Sequence, residues 1–192
     1  MANTKRQVFY SFHYKPDSWR VSQVRNIGTI EGNKPAPDND WETVTKNGDD
    51  AIKKWIKSQM EYRSCTVILV GKETANRKWI NYEIVESWKA GMGVVAIHIY
   101  GLKNSDECIT TQGSNPFDYI SYGNNGKKLS SIAKCYNPIG ANSKERYDWI
   151  ARNMSAMVEE AIKIRNNNKI YEFKRKKTKT FRINTRSNNQ NG

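Results

Sequence analysis

A carboxylate one helical turn after a tryptophan is the arrangement in this sequence best suited to chemistry. Trp79 and Glu83 lie four residues apart in a segment, residues 77–88, whose apolar residues recur at helical spacing. Such residues are neighbours on a helix surface, so a carboxylate beside a large ring could line a cleft. The alternative is a glutamate that complements the positive end of the helix dipole, and the pattern alone favours this alternative. Glu86 projects further from the apolar stripe and is interpreted as a solvated surface residue.

Two apolar segments flank this helix and predict how it is held. Cys65–Val70 precedes it and residues 93–100 follow it, and both are apolar on their two alternating faces. Continuous apolar runs of this length are typical of central strands in a parallel sheet. A helix between two such strands forms a βαβ unit, and Ile80 and Ile84 lie on the stripe that faces the sheet. The sequence therefore predicts an α/β fold.

The first predicted strand, residues 7–12, supplies a second group of candidate site residues. Ser11 and Phe12 end this strand, and His13 and Tyr14 follow it. Because ligands of open α/β sheets bind beyond the carboxyl ends of the strands, all four are placed to contact a ligand. For His13 the alternative is a residue at the end of the strand that is hydrogen-bonded to the backbone.

The remaining elements are predicted from caps, turn residues and periodicity. The first is a helix capped by Asp17 or Ser18, with Trp19, Val21 and Val24 facing inward, and it is followed by a loop over 28–37 and an edge strand near 41–45. A second helix is capped by Asp49 or Asp50, with Ile52, Trp55, Ile56 and Met60 facing inward. A compact turn over 115–119 and a short strand over 131–136 precede a closing helix, which begins with a capping box at Asn142 and Glu145 and ends near residues 166–168.

Composition limits the class of protein. The chain has 192 residues, which suggests one domain with a core large enough to need no staple. Its three cysteines form no CxxC or Cys/His cluster, so we expect no metal site. An apolar leader and a membrane-length apolar run are both lacking in this sequence. We therefore expect a cytoplasmic protein with no membrane partner.

Positive charge is concentrated at the end of the chain. The net charge is +13, and residues 166–192 hold eight basic residues and one acid, which gives +7. This segment is too polar to fold alone, so we predict a folded domain over 1–165 and a disordered or extended basic tail over 166–192. Tyr171, Phe173 and Phe181 could stack on single-stranded nucleic acid, but such tails are more often only solvated, and nucleic acid is not the expected partner.

The chain resembles the TIR-like family of bacterial Thoeris antiphage systems, within the TIR and flavodoxin-like group. The matching segments appear in the same order over roughly residues 7–160, and together they are fairly specific. They are Val8-Phe9-Tyr10-Ser11-Phe12-His13-Tyr14, Val24-Arg25-Asn26, Asp40-Trp41-Glu42, Val67-Ile68-Leu69-Val70-Gly71, Asn76-Arg77-Lys78-Trp79-Ile80-Asn81-Tyr82-Glu83-Ile84, Ile97-His98-Ile99 and Asn115-Pro116-Phe117-Asp118-Tyr119. The basic tail is outside the resemblance.

The resemblance implies a doubly wound, mostly parallel TIR-like sheet and cleavage of NAD+ at the nicotinamide–ribose bond. It implies an ADP-ribose-derived product, often cyclic, that is made when phage infection is sensed and is bound by a separate effector. The catalytic glutamate of the family corresponds to Glu83. The resemblance further implies that Phe12 and His13 line the nucleotide pocket and, more weakly, that Trp79 and Tyr82 contact the substrate. NAD+ is then a substrate rather than a cofactor, and assembly into homo-oligomers is a further expectation.

One carboxylate suits this chemistry. Nicotinamide departs as a neutral ring and needs no general acid, while the ribose develops oxocarbenium character that a carboxylate can stabilise or trap. The alternative is a non-catalytic TIR-like module that acts by assembly or by binding an anion or nucleic acid, because fold membership does not prove catalysis.

Overall fold

The computed structural model describes residues 5–32, 46–122 and 126–175, with side chains described up to residue 168. Its helices and strands are, in chain order, β1 (Gln7–Phe12), α1 (Tyr14–Arg25), β2 (Glu31–Gly32), α2 (Gly48–Met60), β3 (Cys65–Val70), α3 (Lys78–Lys89), β4 (Gly93–His98), β5 (Ser121–Tyr122), β6 (Lys127–Lys128), β7 (Cys135–Tyr136) and α4 (Ser143–Arg175). Two short 3-10 helices, Pro116–Tyr119 and Leu129–Ser131, lie between β4 and β7.

The core is a parallel sheet covered by helices on both faces. Its five strands lie in the order β2-β1-β3-β4-β7, and every pairing is parallel. Apolar side chains of α1 and α4 pack on one face, and those of α2 and α3 pack on the other. The predicted α/β, doubly wound, mostly parallel sheet is therefore confirmed. Its strands β1, β3 and β4 end at one edge, where ligands of such sheets bind.

The elements with strong local patterns lie where they were predicted. β1 and β3 have the predicted bounds, and all six residues of β3 are buried. The stripe of α3 faces the sheet, with Ile80, Ile84 and Trp88 at most 4% exposed. At the start of α4, the side-chain Oδ1 of Asn142 accepts a hydrogen bond of 2.9 Å from the backbone N–H of Glu145, as the capping box predicts.

The start of α1 was predicted too late. The helix begins at Tyr14, with His13 in the N-cap position, so Asp17 is an interior residue and not a cap. Pro16 lies in the first turn, where its missing N–H has no partner to lose, and it therefore does not delay the helix. Trp19 is 56% exposed and does not face inward, whereas the prediction for the two valines of α1 is correct.

Short elements and the end of the last helix also differ from prediction. β2 lies inside the segment predicted as a loop, β4 ends at His98, and only Cys135 and Tyr136 of the predicted 131–136 strand are extended. The two-residue strands β2 and β7 are too short to show a period of two, which explains the errors at these two strands. The last helix continues through residues 166–168 to Arg175, so its predicted end was wrong.

Some predictions concern residues that the structure does not describe. The edge strand at 41–45, the Asp40-Trp41-Glu42 segment and residues 176–192 of the tail lie outside the described residues. The division at residue 165 stays a prediction. Within the part that is described, no helix combines the length and apolar content needed to cross a membrane.

Candidate active site

Ser11 and Glu83 form the polar contact at the centre of the candidate site. Side chains alternate along β1, so Phe9 and Ser11 point to the face covered by α2 and α3. Glu83 lies in the second turn of α3 and meets Ser11 there, although 72 residues separate the two in sequence. The Ser11 hydroxyl donates a hydrogen bond of 2.5 Å to Oε2 of Glu83.

Burial gives the Glu83 carboxyl an unusual protonation equilibrium. Glu83 is 9% exposed and Ser11 is 1% exposed. Burial raises the pKa of Glu83 to about 8, and the Ser11 hydrogen bond opposes this rise only in part. Among the described residues, no basic side chain forms an ion pair with this carboxyl, and its second oxygen, Oε1, accepts no hydrogen bond. The group is therefore largely neutral near pH 7 in the structure described.

Two buried hydroxyls hold the backbone of Glu83 as well. Ser87, one turn later in α3, donates a hydrogen bond of 2.7 Å to the backbone carbonyl of Glu83. The hydroxyls of Ser87 and Thr66, which lies in β3, are 2.6 Å apart. Both residues are fully buried, so these contacts fix the rotation of α3 against the sheet at the turn that carries the carboxylate.

Trp79 and Tyr82 line the gap between α2 and α3. Their rings meet edge to face with centroids 5.9 Å apart. Both are partly buried against the apolar cluster that includes Phe9 of β1 and residues of α2. The ammonium of Lys78 lies 4.8 Å from the centre of the Trp79 ring. These rings contribute to packing between the helices. Each of the two side chains therefore has a structural role in addition to its predicted role in substrate binding.

Phe12 and His13 lie at the end of β1 in different surroundings. Phe12 points to the opposite face of the sheet from Ser11, where it packs against the cluster of α1 and α4. His13 caps α1, and its Nδ1 has no hydrogen-bond partner among the described residues, so this nitrogen gives no support to the alternative of a backbone-bonded histidine. Burial, and then the nearby Arg77, lower the pKa of His13. The structure thus joins Ser11 to Glu83, leaves Phe12 on the other face and places His13 between β1 and α1.

Glu86 shows by contrast what a structural carboxylate looks like on the same helix. Its oxygens pair with Lys57 at 3.2 Å and with Lys89 at 2.8 Å. Although partial burial acts in the opposite direction, these two lysines lower the pKa of Glu86. The interpretation of Glu86 as a solvated residue was therefore inaccurate, since its side chain is 17% exposed and ion-paired.

A further groove lies away from the Ser11–Glu83 contact, and the described residues form no candidate metal site. A groove of about 770 Å³ opens between α1, the loop after β4 and the start of α4, and none of the predicted site residues lines it. No group of three or more His, Cys, Asp or Glu side chains is placed to hold a metal ion in the part of the chain that the structure describes.

Comparison with known proteins gives this geometry a context. Residues 9–104 match the family model described as "Thoeris protein ThsB, TIR-like domain". The chain is also 37% identical over 131 residues to a Bacillus cereus (strain MSX-D12) protein named "Putative cyclic ADP-D-ribose synthase ThsB1", an alignment that covers 65% of this chain and 68% of that protein.

The chain belongs to the Thoeris ThsB TIR-like family. The resemblance inferred from the sequence is thereby confirmed, and so is the TIR-like assignment of the fold. The segment that matches the ThsB TIR-like family contains the last four residues of β1 and all of β3, α3 and β4, and with them the Ser11–Glu83 contact and its Thr66–Ser87 support.

Sequence reasoning missed the hydroxyl pair that anchors α3. Ser87 follows Glu83 by four residues, so the two share one face of the helix, and this spacing was the available signal. Thr66 carries no such signal, because a threonine in an apolar strand is interpreted simply as a strand-favouring residue.

Proposed function

We propose that this protein is an antiphage-defence enzyme that cleaves the nicotinamide–ribose bond of NAD+. In this proposal it makes an ADP-ribose-derived, cyclic signal that activates a separate effector. The observation that carries the proposal is the Glu83 carboxyl, which is buried, has Ser11 as its hydrogen-bond partner and lies near the carboxyl end of β1. Membership of the ThsB TIR-like family and the name of the Bacillus cereus relative support it.

The reaction needs a group that stabilises positive charge on the ribose. Nicotinamide leaves as a neutral ring, so the departing group needs no proton. As the bond to nicotinamide lengthens, the ribose gains oxocarbenium character, and a carboxylate held near C1′ or the 2′-hydroxyl lowers the energy of this state. Glu83 Oε1, which accepts no hydrogen bond among the described residues, is the atom available for this role.

The raised pKa of Glu83 suits a cationic substrate. Without a ligand the carboxyl is mostly protonated near pH 7, because burial raises its pKa to about 8. The positive nicotinamide ring, when bound nearby, favours the ionised form and lowers this pKa again. Substrate binding itself therefore generates the charge that the reaction uses.

The residues around Glu83 provide positions for the rest of NAD+ in this proposal. His13 follows β1, its Nδ1 has no hydrogen-bond partner among the described residues, and we assign it to the edge of the nucleotide pocket. Phe12 points to the other face of the sheet, so we assign it no contact with NAD+. Trp79 and Tyr82 supply aromatic surface on the α3 side. With water excluded by such walls, an adenine nitrogen or a ribose hydroxyl of the same ligand can attack the cation and close a ring.

The test is the loss of NAD+ consumption in the Glu83→Gln variant. Glutamine keeps the size of the side chain and removes its charge, so we expect turnover to fall by at least about 100-fold. NAD+ and its products are measured by chromatography and mass spectrometry, with purified protein alone and with lysate of infected cells as a source of an activating cue.

Glu86→Gln is the matched control, because it makes the same change one turn later at an ion-paired carboxylate. We expect this variant to consume NAD+ at close to the original rate. A folded Glu83→Gln protein that turns over NAD+ as fast as the unmodified chain contradicts the proposal.

A further inference from the structure

The hydroxyl of Ser11 is fully committed to Glu83. A serine hydroxyl has one hydrogen to donate, and in this structure that hydrogen goes to Oε2 of Glu83 across 2.5 Å. Ser11 is 1% exposed, and its hydroxyl cannot donate a hydrogen bond to a ligand unless the contact with Glu83 breaks. In this geometry Ser11 bonds Glu83, whereas the sequence predicted that Ser11 would contact the substrate.

Hydroxyl groups hold both the backbone and the side chain of Glu83. Ser87, supported by Thr66 of β3, fixes the backbone carbonyl, and Ser11 of β1 fixes one carboxylate oxygen. Because the backbone and Oε2 are both restrained, the direction of Oε1 is determined too. A group positioned in this way by neighbouring side chains loses little freedom when the substrate arrives.

Most charged groups on α2 and α3 pair with one another, and among the described residues none of them forms an ion pair with Glu83. From α2 and α3, Lys57 and Lys89 pair with Glu86, and Lys78 pairs with Asp49. The remaining titratable or charged groups on these two helices and at the end of β1 are Asp50, Lys53, Lys54, Tyr82 and His13. Burial and Ser11 are the influences that set the pKa of Glu83, so Ser11 is the neighbour that favours its ionised form.

We propose that Ser11 is a positioning residue for Glu83, holding Oε2 so that Oε1 faces the ribose and the carboxylate can ionise in the closed site. This inference rests on the proposed function, and it assigns Ser11 a role that acts through Glu83 and not through contact with NAD+.

The experiment measures kcat/KM for NAD+ as a function of pH in Ser11→Ala. Loss of the hydroxyl removes the hydrogen bond that favours ionisation, so the rising limb of the profile moves to higher pH by roughly one unit. We also expect kcat at neutral pH to fall by about 10-fold, with KM changed less than kcat. Ser11→Thr keeps a hydroxyl on a strand-favouring side chain and restores the original midpoint.

Ser87→Ala is the matched control. It removes the same group from an equally buried serine on the same side of the sheet, but this serine bonds the backbone of Glu83 and not the carboxylate. We expect a lower melting temperature and an unchanged pH midpoint. Ser11→Cys, whose thiol is a weaker donor, gives a second measurement if the alanine variant folds poorly, with a smaller shift in the same direction.

Three outcomes overturn the inference. They are an unchanged midpoint in both Ser11→Ala and Ser11→Cys, an equal shift in Ser11→Ala and Ser87→Ala, or an increase in KM at constant kcat, which indicates direct contact with NAD+. Failure of the proposed function is distinct, because it appears as retained turnover in Glu83→Gln whatever the Ser11 variants do.

Discussion

Two buried carboxyls lie close to the ligand-binding edge of the sheet, and their partners differ. Glu83 of α3 meets a neutral hydroxyl. Asp17 of α1, which packs on the other face, lies 3.6 Å from Arg20. Burial raises the pKa of both groups, Glu83 to about 8 and Asp17 to about 6, and in Asp17 the charge of Arg20 opposes the rise.

The difference between these environments separates a structural carboxyl from a candidate for chemistry. Arg20 also donates to the carbonyls of Leu102 and Cys108, at 2.8 and 2.9 Å, and so ties α1 to the loop after β4. The Asp17 carboxyl is packed against Gly71 at the end of β3. Each carboxyl has an oxygen that accepts no hydrogen bond within the described residues, Oε1 of Glu83 and the buried Oδ2 of Asp17. Two features therefore set Asp17 apart: the charge of Arg20 beside it and the backbone of Gly71 packed against its Oδ2.

The largest expected effect is on the pH dependence of stability in Glu83→Gln. The folded pKa of about 8 lies above the ordinary value of 4.5, so the folded state holds a proton that the unfolded chain has released between these values. Stability therefore falls as pH rises through this window, by up to about 5 kcal/mol. Glutamine does not titrate, so Glu83→Gln becomes progressively more stable than the unmodified protein from pH 4.5 to pH 8.

Urea unfolding of both proteins at several pH values measures this difference, and other ionisable groups cancel in the comparison. A difference in free energy of unfolding that stays constant with pH contradicts a buried Glu83. A gain in stability together with a loss of turnover is typical of residues retained for function.

The contrast between the two carboxyls also shows what sequence can and cannot predict. Helix α3 was predicted because β3 and α3 carry local patterns, a continuous apolar run and an apolar stripe. Those patterns alone favoured a helix-dipole role for Glu83, and its catalytic role was predicted from the family resemblance. The Ser11–Glu83 contact depends on how β1 pairs with β3 and how α3 lies across them, and no local pattern encodes this across 72 residues. Ser11 was selected for its place at a strand end, and its partner came from the fold.

The surroundings of Asp17 were missed for a similar reason. Asp17 and Ser18 are residue types that favour an N-cap, but the cap position belongs to His13, four residues before Asp17, and the Asp17 carboxyl is buried against the end of β3. Burial of a charged residue beside a glycine at the end of another strand is a tertiary feature. The local sequence gives little indication of this contact, since Gly71 alone predicts only a turn.

Asp17→Asn tests the second carboxyl of the comparison. We expect a smaller change in the free energy of unfolding, spread over a narrower pH range. The folded pKa of about 6 lies above the ordinary value of 3.8, so stability falls between these pH values and remains lower above them. Relative to the unmodified protein, Asp17→Asn should gain about 3 kcal/mol from pH 3.8 to pH 6 and little more at higher pH.

Thermal or urea unfolding across pH 3.5–8 separates the two windows. The curve for Asp17→Asn should level off near pH 6, about two units below that for Glu83→Gln. Turnover of NAD+ per folded molecule should be close to that of the original protein, because Asp17 is held by structural groups. A loss of turnover equal to that of Glu83→Gln contradicts the structural assignment of Asp17.

The smallest expected effect comes from Gly71→Ala, which tests the packing of Asp17 directly. A Cβ added to Gly71 lies 2.0 Å from Oδ2 of Asp17, so the carboxyl must move. We expect a loss of about 1–3 kcal/mol of unfolding free energy, as for other overpacked sites, and a smaller loss when Asp17→Ala is already present.

Gly93→Ala is the control for this double-mutant cycle. Its added Cβ meets the backbone of Ala161 in α4 at 2.7 Å, and it lies at the start of β4, whereas Gly71 follows the end of β3. The cost of Gly93→Ala should thus be the same with and without Asp17→Ala, while the cost of Gly71→Ala should fall, since residues in contact are non-additive. If both glycine substitutions show the same cost in the two backgrounds, Asp17 does not press on the end of β3, and the distinction between the two carboxyls loses its geometric basis.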